Sequence, residues 1–119
     1  MTTTRTILVV DDDAEIREGI ADVLRDEGYQ ATTAANGREA LAQARSVRPD
    51  LIVLDLMMPV MDGWQFLEER ARDGALKQIP VVIVSATAEA FQPPETCAFI
   101  RKPMRLGDLL AAIAQALDG

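Results

Sequence analysis

Two runs of apolar residues in this sequence each end in carboxylates. Residues 7–10 are followed by three aspartates, residues 11–13, and residues 51–54 are followed by Asp55. Apolar runs of this length without a polar face are typical of strands buried on both sides of a parallel sheet. Such strands end at one edge of the sheet, where open α/β folds keep their sites. We therefore expect one shared acidic pocket.

The chemistry that fits such a pocket is phosphoryl transfer assisted by a hard cation. Asp11, Asp12 and Asp55 would repel one another unless their pKa values rose or a cation neutralised them. Since the chain has no histidine and these groups offer only oxygen ligands, Mg²⁺ is the expected ion. Asp55 stands alone after its apolar run, and we expect it to be the nucleophile that attacks phosphorus.

Two further polar residues follow apolar runs later in the chain. Ser85 follows residues 81–84, and its hydroxyl could donate a hydrogen bond to a phosphoryl oxygen. Lys102 follows residues 97–100 and could supply a fixed positive charge there. Pro103 comes next, so the Lys102–Pro103 peptide bond is a candidate for the cis form that directs the lysine inward.

The elements that must position these residues alternate between strand and helix. Helical apolar spacing runs from Ile16 to a left-handed cap at Gly28, and a second helix starts near Asn36-Gly37 and stops before Pro49. Apolar residues at helical spacing indicate the inner faces: Ile16, Ile20, Val23 and Leu24; Ala40, Leu41, Ala44 and Val47; and Leu106, Leu109, Leu110, Ile113, Ala114 and Leu117. We predict strands at 7–10, 29–34, 51–54, 81–84 and 97–100, and a third helix over about 63–72. This order predicts a doubly wound parallel sheet.

Composition excludes several kinds of function. The net charge of −7 disfavours binding to nucleic acid or to an anionic membrane. Without histidine, and with Cys97 as its single cysteine, the chain has no Ser-His-Asp triad, no thiolate-imidazole pair and no histidine-ligated metal. The sequence shows neither a signal peptide nor a spanning segment, so we expect a cytoplasmic protein.

These motifs together resemble the receiver domain of two-component response regulators, of the single-domain chemotaxis-regulator type. The resemblance covers the whole chain in order, so we expect residues 1–119 to form a single receiver domain. Its most specific part is the block D-L-M-M-P-V-M-D-G at residues 55–63, which matches the family pattern D-x-x-M-P-x-M-D-G. The resemblance implies a flavodoxin-like five-stranded sheet in the order 2-1-3-4-5.

The resemblance also implies roles at the acidic pocket. Asp55 would be the phosphoacceptor. Asp12 would bind Mg²⁺ directly, Asp11 mainly through metal-bound water, and the Met57 backbone carbonyl would complete the protein ligands. We assign no metal-binding role to Asp13 and expect it to cap the first helix.

For the remaining matching positions, the resemblance implies a switch. Ser85 would be the switch hydroxyl, Phe99 the switch aromatic and Lys102 the phosphoryl-binding lysine. A phenylalanine on a short strand is also typical of static core, and both interpretations of Phe99 stand. The implied partners are a sensor histidine kinase or phosphotransfer protein and a downstream protein, with no nucleic acid and no membrane.

The main departure of the sequence from the family pattern lies between Ser85 and Lys102. This segment is several residues shorter than usual, with Pro93-Pro94 where the fourth helix would lie, so we expect that helix to be shortened or absent. The shortening is either a tolerated loop deletion or a remodelling of the output surface, and we favour the second. Met57 and Thr87 occupy positions resembling those that tune phosphoryl lifetime. A bulky apolar Met57 orients an attacking water poorly, and we expect slow self-dephosphorylation.

Two other functions compete with a phosphoacceptor signalling module. An Mg²⁺-dependent phosphohydrolase with an aspartyl-phosphate intermediate would need a second aspartate two residues after Asp55, where Met57 stands. A degenerate receiver that serves only as an interaction scaffold is disfavoured by the complete acidic set, but the shortened or absent fourth helix keeps this alternative open. Among the other residues, we expect Met58 in the core and Trp64 packed near the start of the third helix.

Overall fold

The computed structural model describes residues 4–86 and 97–118, and in these residues strands and helices alternate. The first strands and helices are β1 (Thr6–Val10), α1 (Ala14–Asp26), β2 (Gln30–Ala34), α2 (Gly37–Val47), β3 (Leu51–Leu54) and α3 (Gly63–Arg72). They are followed by a short 3₁₀ helix (Leu76–Gln78), β4 (Val81–Ser85), β5 (Cys97–Arg101) and α4 (Leu106–Asp118). The predicted segments agree with these bounds to within a few residues, except for the 3₁₀ helix, which was not predicted.

All neighbouring strands of the sheet are parallel, and their order is β2-β1-β3-β4-β5. This confirms the doubly wound, flavodoxin-like α/β fold. The shortened or absent helix that we expect between β4 and β5, at Pro93-Pro94, lies outside the described residues, so α4 here is the helix after β5. Thr87 also lies outside the described residues.

Local capping explains where three helices begin. The side chains of Asp13 and Asn36 each accept a hydrogen bond from the backbone N–H three residues later. Asp62 and Gln65 form a reciprocal capping box at the start of α3. Asp13 and Asn36 closely follow β1 and β2, and Asp62 ends the longer loop after β3, so a polar residue between each strand and the next helix fixes where that helix begins.

The core has two layers, one on each face of the sheet. On one face α2 and α3 cover alternate strand residues, with Ala40, Leu41, Ala44, Phe66 and Leu67 packed on Leu8, Val10, Ile52, Leu54 and Ile83. On the other, α1 and α4 place Ile20, Leu24, Leu109 and Ile113 against Ile7, Val9, Val53, Val82 and Val84. This alternation is the period of two expected of a strand buried on both sides.

The predicted inner faces of the helices were wrong at the helix ends. Ile16, Val47 and Leu106 are 37%, 42% and 44% exposed, and each lies in the first or last turn of its helix. Ala114 is exposed too, whereas Ala112 and Ala116 pack against the core. Apolar spacing locates the buried stripe, but the sheet covers only the middle of each helix.

None of the helices formed by residues 4–86 and 97–118 is long and apolar enough to cross a membrane. Even α1 and α4 have only 13 residues each. A spanning helix needs about 20.

Candidate functional site: an acidic pocket at the carboxyl edge of the sheet

Backbone pairing brings the two acidic segments level with each other. Val10 pairs with Leu54, so the next residues, Asp11 and Asp55, lie side by side just beyond the strands. The Asp55 N–H donates to the Val10 carbonyl at 2.9 Å, and the Asp11 N–H donates to the Ala34 carbonyl at 3.2 Å. The main chain of the sheet therefore holds both aspartates at its carboxyl edge, as the sequence predicted.

Three carboxylates converge at this edge. Asp11, Asp12 and Asp55 each have an oxygen within 4.8 Å of the others. Asp11 and Asp55 are only 3% and 5% exposed, while Asp12 faces solvent. The donor set consists of oxygens alone, one side is open to water, and the spacing suits a hard divalent cation such as Mg²⁺.

Lys102 reaches into the same pocket from the loop after β5. Its Nζ lies 3.1 Å from Asp11 Oδ2, to which it donates a hydrogen bond, and 3.6 Å from Asp55 Oδ2. Its backbone N–H donates to the Ser85 carbonyl at 2.9 Å, which extends the pairing of β4 and β5 by one residue. The Lys102–Pro103 peptide bond is cis, the form for which the sequence made it a candidate.

The surroundings of Asp55 raise its pKa above the ordinary value of 3.8. Burial is the largest cause because it disfavours the charged form, and the negative charge of Asp11 adds to it. The positive charge of Lys102 and the N–H of Met57 act in the opposite direction without cancelling the rise. Ionised Asp55 is therefore held in a site that disfavours its charge.

Lys102 shows the complementary effect. Burial works to lower the pKa of Lys102, but the hydrogen bond from Lys102 to Asp11 and the charges of Asp11 and Asp55 outweigh burial and raise the pKa above its ordinary value. The lysine is thus protonated at neutral pH. It supplies a permanent cation between two of the three carboxylates.

Ser85 and Phe99 lie on the adjoining strands. Ser85 is the last residue of β4 and is fully buried, opposite Arg101 in β5. Phe99 lies opposite Ile83 and is half-buried against the core face under α2 and α3. The serine is therefore beside the backbone of Lys102, and the phenylalanine is two residues back along β5.

The loop after β3 holds the methionines of the motif in different environments. The Met57 N–H donates to Asp55 Oδ1 at 3.3 Å, while its side chain is 54% exposed. Met58 is only 9% exposed and belongs to the core, as predicted. Trp64 packs partly buried against the same core layer at the start of α3.

Two glycines let this loop lie close to its neighbours. A Cβ on Gly63 would lie 2.6 Å from the Asp55 carbonyl oxygen and 2.7 Å from the Leu56 Cα, distances that real Cβ atoms do not adopt. A Cβ on Gly37 would lie 2.8 Å from the carbonyl oxygen of Met61, which accepts the Gly37 N–H. The sequence indicated both glycines as helix starts but gave no sign of the close backbone approach.

Comparison with known proteins gives the class. The family described as the response regulator receiver domain matches residues 7–114. A doubly wound α/β domain with carboxylates and a lysine at one sheet edge is the architecture that such a match predicts.

Relatives and solved structures agree with this class. The "DNA-binding response regulator MtrA" of Mycobacterium tuberculosis (strain ATCC 25618 / H37Rv) is 36% identical over 116 residues, covering 93% of this chain and 50% of that protein. The "Phosphate regulon transcriptional regulatory protein PhoB" of Escherichia coli (strain K12) is 39% identical over 114 residues, covering 92% and 50%. The structure of chemotaxis response regulator CheY4 of Vibrio cholerae superposes with a TM-score of 0.82 at 32% identity, covering 96% of this chain and 99% of that one.

The chain belongs to the response regulator receiver domain family of two-component systems. It spans about half the length of the two regulators that it matches.

Proposed function

We propose that this receiver accepts a phosphoryl group on Asp55 from a phosphohistidine of a sensor kinase or phosphotransfer protein. The observation that supports this most directly is the convergence of Asp11, Asp12 and Asp55 with Lys102 Nζ, which lies 3.6 Å from the Asp55 carboxylate. A merely structural ion pair would not need a third carboxylate, Asp12, beside the two that already face the lysine, because like charges at this distance destabilise the fold.

The pocket's ligands fit Mg²⁺. We assign Asp12 and Asp55 as direct carboxylate ligands, the Met57 carbonyl as the backbone ligand, and Asp11 as a ligand acting mainly through water. When bound, Mg²⁺ would neutralise charge on the carboxylates and on the incoming phosphoryl oxygens. This assignment agrees with the open, solvent-facing side of the pocket at Asp12.

In the transfer step a carboxylate oxygen of Asp55 attacks phosphorus and the phosphorus–nitrogen bond to the donor histidine breaks. The imidazole nitrogen leaves with the bonding electron pair. Lys102 and the Ser85 hydroxyl are proposed to bind the transferred phosphoryl oxygens. Since Lys102 already lies between Asp11 and Asp55, it needs little movement to do so.

Switching follows from the new charge. The phosphoryl group adds negative charge beside Lys102, and we propose that Ser85 moves toward it and that Phe99 takes the space released. The proposal for Phe99 is supported by its position on β5, partly buried at the margin of the core layer under α2 and α3. A downstream protein would sense this change. The net charge of −7 argues against nucleic acid as the direct target.

Labelling with a small phosphodonor tests the acceptor assignment. Acetyl phosphate with Mg²⁺ should label the wild type, and both Asp55→Asn and the addition of a chelator should abolish the label. Asp26→Asn is the matched control, because Asp26 is an exposed aspartate at the far end of α1. Labelling of Asp55→Asn at the wild-type level would contradict the proposal.

The switch can be tested separately. Amide NMR spectra with beryllofluoride and Mg²⁺, a stable mimic of the phosphoryl group, should show shifts at Ser85 and Phe99 as well as in the pocket. Shifts confined to the pocket would assign Phe99 to static core and favour an interaction scaffold.

The phosphoryl group should also be long-lived. Met57 presents an exposed apolar side chain beside Asp55 instead of a group that orients water. Rapid loss of label with Mg²⁺ present would contradict this expectation.

A further inference from the structure

Arg17 lies beside the acidic pocket, although the sequence did not single it out. It belongs to α1, the helix that follows β1 and packs with α4 on one face of the sheet. Its side chain is only 18% exposed, and its Nη1 donates a hydrogen bond to the Asp11 carbonyl oxygen at 3.0 Å. Its Nε lies 3.4 Å from the exposed carboxylate of Glu18. Arginine is rarely buried to this extent unless its charge has a specific partner.

The contact completes the polar surroundings of Asp11. The Asp13 N–H donates to Asp11 Oδ1 at 2.9 Å, and Lys102 donates to Asp11 Oδ2 at 3.1 Å. Those two bonds hold the side chain. The bond from Arg17 holds the carbonyl, and through it the rigid peptide unit that joins Asp11 to Asp12.

We infer that Arg17 is a positioning residue for the cation site. Asp12 faces solvent, so packing does not determine where its carboxylate points. The direction of its Cα–Cβ bond depends instead on the plane of the preceding peptide, which the planar guanidinium fixes. Arg17 thereby aims Asp12 at the point shared with Asp11 and Asp55. This inference rests on the proposed function, in which these carboxylates bind Mg²⁺.

Charge and positioning make opposite predictions, which allows a decisive test. Removing a positive charge beside a cation site should strengthen Mg²⁺ binding if the charge were all that mattered. Removing a group that orients a ligand should weaken it, typically by about 10- to 100-fold. The sign of the change therefore separates the two roles.

The experiment is calorimetric titration of Mg²⁺ into the wild type, Arg17→Met and Arg25→Met. Arg25 is a matched control because it lies in the same helix and its Nη2 also donates to a backbone carbonyl, that of Ala31, at 2.9 Å. We expect the dissociation constant of Arg17→Met to be about tenfold above the wild-type value, and that of Arg25→Met to stay within about twofold. The Asp12 amide resonance should move in Arg17→Met alone.

An unchanged or tighter dissociation constant in Arg17→Met would overturn the inference, as would equal weakening in both variants. Arg17→Lys retains the charge without the planar fork and decides the matter if the methionine variant fails to fold. It should bind about threefold more weakly than the wild type, and wild-type affinity would overturn the inference. A folded wild type with no Mg²⁺ affinity would instead contradict the proposed function.

Discussion

The strand β3 is preceded by one aspartate and followed by another, and the two aspartates lie in opposite electrostatic surroundings. Asp50, at the amino edge where the strands begin, accepts a hydrogen bond from the Thr6 N–H at 2.8 Å and lies 4.0 Å from Arg5. Asp55, at the carboxyl edge, is buried beside Asp11 and has a raised pKa. One carboxylate is stabilised by its surroundings and the other is not.

Other charged groups near the amino edge follow the pattern of Asp50. Arg70 is 3% exposed, and its guanidinium donates to the carbonyls of Lys77 and Ile79 just before β4. The N–H groups of Leu76 and Ala75 lower the pKa of Asp73. The amino edge thus satisfies its charges internally, whereas the carboxyl edge holds charges that need an external partner. Such a difference is expected where function, rather than stability, selects the residues.

The largest effect on stability should come from breaking the amino edge at Arg70. Arg70→Met leaves the part-buried carbonyls of Lys77 and Ile79 without their charged donor, and we expect the free energy of unfolding to fall by about 3 kcal/mol. Arg72→Met is the control, because Arg72 is 73% exposed and pairs with Glu69 at the surface, and it should change stability by less than about 0.5 kcal/mol. Equal denaturation midpoints for the two variants would refute a stabilising role for Arg70.

A smaller loss of stability is expected where the loop after β3 contacts the start of α3. Gly63→Ala would force a Cβ against the Asp55 carbonyl oxygen and the Leu56 Cα, and the backbone must move at a cost of about 2 kcal/mol. The Asp55 amide resonance should shift as well. Gly74→Ala, whose Cβ would have no described residue within 4 Å other than its chain neighbours, should be neutral or slightly stabilising. Urea titration of both variants measures these changes in stability. A neutral Gly63→Ala would show that the close contact is unimportant.

The sharpest test of the comparison is one substitution at both ends of β3. Asp55→Asn removes an unfavourable buried charge, so without Mg²⁺ at neutral pH it should raise the free energy of unfolding by about 0.5 to 2 kcal/mol. Asp50→Asn weakens a favourable hydrogen bond to Thr6 and should lower the same quantity by about 1 kcal/mol. If both substitutions changed the free energy of unfolding in the same direction, the contrast between the two ends of β3 would be refuted.

The increase in the free energy of unfolding caused by Asp55→Asn should depend on pH in a defined direction. Because folding raises the pKa of Asp55, the wild type loses stability as the pH rises from the ordinary value of 3.8 through the raised folded value. The difference between the variant and the wild type should therefore be fully present above the raised pKa. It should vanish only as the pH falls well below 3.8, where Asp55 is protonated in both the folded and the unfolded state. A difference that grew in acid would contradict this.

The sequence predicted the strands and the polar residues at their ends because buried parallel strands are short, continuous apolar runs. It failed at Ile16, Val47 and Leu106, since helical spacing does not tell where the sheet stops covering a helix. It also missed Arg17 and Arg70. Their roles depend on backbone carbonyls that only the tertiary structure brings within reach of α1 and α3.

Direct identification of the phosphorylated residue tests the central claim. The wild-type chain would be treated with Mg²⁺ and a phosphodonor, reduced with borohydride to convert any aspartyl phosphate to homoserine, and sequenced by tandem mass spectrometry. Homoserine at position 55 is the predicted result. Homoserine at position 11 or 12 instead, or none in a folded chain that binds Mg²⁺, would contradict the assignment of Asp55 as the phosphoacceptor.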